Sequence, residues 1–109
     1  MPIHEQRRFK SEFFKALSNP LRIAILDALR AGERGVGEIA AELAVEQAAA
    51  SQQLAVLRSK NLVRFRKQGT FAIYSVTDPT IFAILDDVAR LFQNQLVDLQ
   101  SLLLQETAE

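Results

Sequence analysis

Cysteine is absent from the 109 residues. That excludes disulfides, thiolate metal sites, thiol redox sensing and cysteine nucleophiles together. Histidine occurs once, at His4, near the start of the chain. With no Ser/His/Asp order and no Gly-rich phosphate loop, the chain reads as something other than an enzyme. No uninterrupted apolar run approaches the ~20 residues of a membrane span. The first residues carry Glu5, Arg7, Arg8, Lys10 and Glu12 without an apolar core segment, which does not fit a signal peptide. A cytoplasmic protein with no membrane partner is the expectation. An apolar share of 49% argues against disorder and for a single domain over residues 1–109.

One further absence is local. Residues 47–77 contain no Asp or Glu, yet they hold Arg58, Lys60, Arg64, Arg66 and Lys67. The whole chain has formal charge zero, with 13 basic and 13 acidic residues. Residues 1–46 are balanced at seven of each, the middle window is +5, and residues 78–109 are −5. Phosphate binding depends on the local field, so the neutral total does not count against a nucleic-acid partner.

Apolar periodicity outlines the elements. Phe9, Phe13, Ala16 and Leu17 predict a helix over 5–17. Asn19 is a cap and Pro20 suits a first turn, starting a second helix over 20–31 that Gly32 closes. Leu21, Ile25, Ala28 and Leu29 line its inner face, widened by Ile23 and Leu26, so it should be deeply buried. Val36, Ile39, Ala40 and Leu43 predict a short helix over 36–43. After a turn at 44–46, Ala50, Leu54 and Leu57 predict a helix over 47–59.

The period then changes from 3.6 to 2. Val63 and Phe65 alternate with Arg64 and Arg66. Phe71 and Ile73 alternate with Ala72 and Tyr74. This predicts a hairpin turning at Gly69, one residue set facing the core and the set with both arginines facing out. Thr77-Asp78-Pro79 signals one more helix, running to about Leu104. Its stripe includes Leu85, Val88, Phe92, Leu96 and Leu99. A helix of ~25 residues is ~38 Å long, more than the diameter of its domain, so part of the stripe needs a partner outside the monomer. The fold class is mainly α with a small β-hairpin, in the order α-α-α-α-β-β-α.

The middle of that order is a helix-turn-helix followed by a wing. A helix fits the major groove of B-DNA and presents its first turns to base edges. With Ala50, Leu54 and Leu57 inward, the outward face is Gln47, Ala48, Ser51 and Gln52. Gln bonds adenine bidentately, Ser is permissive, and Ala touches a thymine methyl. The cations follow, Arg58 and Lys60 at the helix end and Arg64, Arg66 and Lys67 on the hairpin, where phosphates would lie. Thr70 and Tyr74 belong to the same wing. Taken singly, a polar helix face is ordinary solvated surface, and a basic hairpin is a common protected edge. Their adjacency in this order favours double-stranded DNA. The alternative is a winged-helix module that binds protein through the long last helix.

SNPLRIAILDAL resembles the second-helix signature of ArsR-type (ArsR/SmtB) winged-helix repressors. VGEIAAELAVEQAAASQQLAVLRSKNLV is similar to their helix-turn-helix, and RFRKQGTFAIYSV to their wing. The resemblance spans roughly 18–76. It implies a homodimer whose first and last helices, with Phe9 and Phe13 among them, form the interface. It also implies a palindromic operator, repression by occupancy, and release by a small-molecule inducer of unknown identity. The family's metal sensors use a cysteine pair near the stretch Gly37 to Ala41, or histidine and acidic ligands on the last helix. Here that helix offers Asp86, Asp87 and Asp98 and no histidine. No metal sensing by either arrangement, and no cofactor, is expected. Two departures bear on base preference. Glu46 stands where a Ser cap is usual, and Gln53 where His is common.

Overall fold

The computed structural model describes residues 2–107. It divides into two compact units, one up to Asp78 and one from Pro79 onward.

The first unit holds four helices and a small sheet. Helix α1 spans Ile3–Ala16 and α2 spans Pro20–Ala28, which a single 3₁₀ turn, Leu29–Ala31, extends. Asn19 caps α2 as its chemistry predicts, its Oδ1 accepting from the Leu21 and Arg22 amides at 2.9 and 3.1 Å. Gly32 at φ 127° stops the 3₁₀ turn, a backbone value open to glycine. Helix α3 spans Val36–Leu43 and α4 spans Gln47–Ser59. Strands β2 (Val63–Gln68) and β3 (Phe71–Val76) form the hairpin. Ile25, Leu26, Ile39, Leu54, Leu57 and Val63 are the largest fully buried side chains and form the core where α2, α3, α4 and the hairpin base meet.

Two features differ from the expected order. A two-residue strand, β1 (Arg34–Gly35), pairs with β3, giving a three-stranded antiparallel sheet of order β1-β3-β2. Two residues carry no readable period, so sequence pattern could not show it. The second difference lies in the hairpin faces. Cross-strand partners share a face, and the register sets Phe65 opposite Tyr74 but Arg66 opposite Ile73 and Gln68 opposite Phe71. Phe71 and Ile73 therefore lie on the arginine side, and Tyr74 lies with Phe65, their rings 5.6 Å apart. Phe71 is 71% exposed.

The second unit is one helix, α5, over Thr80–Thr107. Ile81 is buried and Ile84 and Leu85 are half-buried. From Asp86 to Thr107 every residue is exposed. Among the described residues no helix is long and apolar enough to cross a membrane.

Candidate nucleic-acid interface

Helix α4 is aimed by its two ends. Helix α3 finishes with Ala44 at φ 56°, where Val45 N–H reaches Ala40 O at 3.0 Å and Ala44 N–H reaches Ala41 O at 3.3 Å. This is a Schellman ending with alanine where glycine is usual, and the left-handed backbone costs roughly 1–2 kcal/mol. It sets the tight turn into α4. Helix α4 closes the same way, with Asn61 at φ 61°, Leu62 N–H on Leu57 O and Asn61 N–H on Arg58 O, both 2.9 Å. That turn delivers the chain into β2. Thr77 then ties off the hairpin base through its Oγ1 to Asn61 O at 2.8 Å.

The inner face of α4 is sealed. Ala50, Leu54 and Leu57 are each 0% exposed. Gln53 also turns in, its Oε1 accepting from Arg22 Nη1 at 2.9 Å, while Arg22 Nε reaches Ala16 O at 2.6 Å. One arginine thus links α1, α2 and α4. Gln53 is consumed in positioning the helix, which the sequence pattern did not indicate. Gln47, Ala48, Ser51 and Gln52 are all exposed on the opposite side. Among the described residues, none of these makes a side-chain hydrogen bond. Glu46, the residue before α4, makes no side-chain cap.

The hairpin stands beside this face. Only Gly69, at φ 62°, has positive φ in its two-residue loop, the pattern of a type II′ turn, and Thr70 follows it exposed. Between the start of α4 and the hairpin lies an open cleft of about 770 Å³. Gln47 and Ser51 form one wall, Gln68, Thr70, Phe71 and Tyr74 the other, and Glu38 reaches its rim.

The five cations are not equivalent. Arg58 lies over the Phe65 ring, 4.1 Å from its centroid. Lys60 pairs with Glu12 of α1 at 3.2 Å. Arg66 makes two bonds to Glu33, 2.6 and 3.1 Å. Glu12 and Glu33 are held below the usual carboxylate range, first by hydrogen bonds from Lys60 and Arg66 respectively. Arg66 is raised further by Glu33. Arg64 and Lys67 are exposed and make no ion pair among the described residues. The acid-free window of the sequence therefore receives two carboxylates in space, from 48 and 33 residues away.

The expected interface residues of a dimer also separate. Phe9, Val88, Phe92, Leu96 and Leu99 are exposed, at 67, 50, 57, 37 and 55%. Phe13 and Leu85 are half-buried. Phe9 and Phe13 stack, centroids 6.4 Å apart, and Phe14 meets Phe13 edge-on at 5.6 Å.

Residues 19–64, which run from the α2 cap into β2, match the family model described as bacterial regulatory protein, arsR family. The HTH-type transcriptional regulator Rv0081 of Mycobacterium tuberculosis is 42% identical over 79 residues, 72% of this chain and 69% of that protein. Its crystal structure superposes with TM-score 0.75 at 36% identity, covering 90% of this chain and 96% of that one. The chain belongs to the ArsR family. A Synechocystis transcriptional repressor, an SmtB homolog, is 36% identical over 85 residues, 78% of this ArsR-family chain and 64% of its own length. The solved homodimeric winged helix-turn-helix DNA-binding domain of a Mycobacterium bovis protein has TM-score 0.74 at 32% identity, with 84% and 88% covered. The family is one of regulatory proteins, in line with the non-enzymatic reading of the sequence. This member has no cysteine anywhere.

Proposed function

We propose that this chain is a homodimeric, sequence-specific DNA-binding repressor acting on a palindromic operator in the cytoplasm. The observation that carries this reading is the two-sided character of α4. Its inner side is sealed by three side chains with no exposure, and its outer side offers four exposed residues without charge. Uncharged donors and acceptors suit base edges, and cations alongside suit phosphates. Gln47, Ala48, Ser51 and Gln52 read bases in the major groove. Arg64 and Lys67 hold phosphates, with Thr70 and Tyr74 on the same wing, while Arg58, Lys60 and Arg66 add to the field from their paired positions.

The dimer reading rests on exposed apolar area. Phe9 on α1 and Val88, Phe92, Leu96 and Leu99 on α5 exceed what scattered surface residues need. A second copy of the chain covers them, with Phe13 and Leu85 at the margin. Two α4 helices then address two half-sites about one helical turn apart. Repression follows from occupancy of a promoter, and a small-molecule inducer releases it. No cofactor or metal takes part.

Fluorescence anisotropy with a labelled operator fragment, recovered from sheared genomic DNA by the purified protein, tests this. The affinity should fall steeply with salt and depend on sequence. Affinity that does neither would overturn the reading.

A further inference from the structure

Arg66 sits in β2 and Glu33 immediately precedes β1, and β3 separates those two strands. Their ion pair therefore spans the full width of the sheet. Both guanidinium bonds go to the same carboxylate, Nη2 to Oε1 at 2.6 Å and Nε to Oε2 at 3.1 Å. This is the fork-on-carboxylate geometry, which restrains orientation as well as distance. It closes over the row in which Arg66, Ile73 and Gly35 are cross-strand partners. Strand β1 is only two residues long, so ladder bonds alone fix it weakly. Arg66 also differs from its neighbours on the wing, since Arg64 and Lys67 have no ion pair among the described residues.

We propose that Arg66 and Glu33 form a strap that positions the wing on β1, and that Arg66 stays on Glu33 in the DNA complex, leaving Arg64 and Lys67 as the wing's phosphate ligands. Arg66 is then a positioning residue rather than a DNA contact. The inference rests on the DNA-binding reading for its second half. The first half, the strap itself, stands on the free protein.

The test combines salt titrations with hydrogen exchange. Log affinity falls against log salt with a slope of about 0.9 for each phosphate contact, so a residue contacting phosphate in both protomers contributes about 1.8. Arg64→Gln and Lys67→Gln should each lower the slope by about that amount and leave exchange in the free protein unchanged. Arg66→Gln should leave the slope as in wild type, weaken binding to all sequences alike, and speed amide exchange in β2 and β3 about two- to fivefold, as loss of an exposed ion pair implies. Glu33→Gln should produce the same exchange signature. A slope loss for Arg66→Gln equal to that of Arg64→Gln would overturn the assignment. So would unchanged exchange in both strap variants. If wild type shows no salt-dependent DNA binding, the DNA-binding reading fails, while the exchange data still decide the strap.

Discussion

Helices α4 and α5 carry the same sequence signal and meet different fates. Each has apolar residues at spacings of three and four. In α4 the stripe is fully enclosed by its own chain, at Ala50, Leu54 and Leu57. In α5 the stripe stays open, with every residue from Asp86 to Thr107 exposed. Periodicity says that a face is apolar. It does not say what covers it. Enclosure of α4 fixes the orientation of its outer face, and so holds Gln47, Ala48, Ser51 and Gln52, the residues proposed to read bases, on one exposed side. Exposure of α5 from Asp86 to Thr107 leaves 22 residues of helix with an apolar stripe that the proposed dimer would cover. The charge follows the same division, with net +4 on the first unit, residues 1–78, and net −4 on residues 79–109.

Substitutions should separate the two helices. Leu54→Ala opens a cavity in a fully buried site and should cost about 2–5 kcal/mol of stability in chemical denaturation. Leu99→Glu sets a charge on an open stripe, so it should leave monomer folding intact and instead weaken the dimer. A loss of about a hundredfold, or ~2.7 kcal/mol, is expected in sedimentation equilibrium. If Leu99→Glu unfolds the protein while Leu54→Ala does not, the contrast between the two helices is reversed. Gln52→Ala should change discrimination at one base pair by about 1–3 kcal/mol, with total stability unaltered, in competition binding against single-site operator variants. The smallest effect belongs to Asn19→Ala. It removes the Oδ1 that accepts hydrogen bonds from the Leu21 and Arg22 amides at the start of α2. A cost of about 0.5–2 kcal/mol is expected, the same with or without DNA.

Much of this was legible in the residues. Helix α4 runs from Gln47 to Ser59, as its period and the Lys60-Asn61 stop imply. Asn19-Pro20 and Gly69 act as caps and turns because their chemistry is local. What was not legible depends on distance. The β1 strand exists only because β3 lies beside it. Which of Phe71 and Tyr74 shares the face of Phe65 depends on register across the turn, and a one-residue slip would exchange them. Gln53 is spent on Arg22, 31 residues away, which local pattern does not encode. The pairing of Lys60 and Arg66 with Glu12 and Glu33 is hidden for the same reason. A window counted along the chain shows five free cations, and the folded window has three of them already engaged.

In the proposed function a polarised surface on the first unit, not the neutral whole, governs partner choice. The salt dependence of operator affinity for the intact wild-type protein tests it most directly. A linear fall of log affinity with log salt is expected, at about 0.9 per phosphate contact, reaching at least 3.6 when Arg64 and Lys67 engage in both protomers. A flat line across the same range would contradict it.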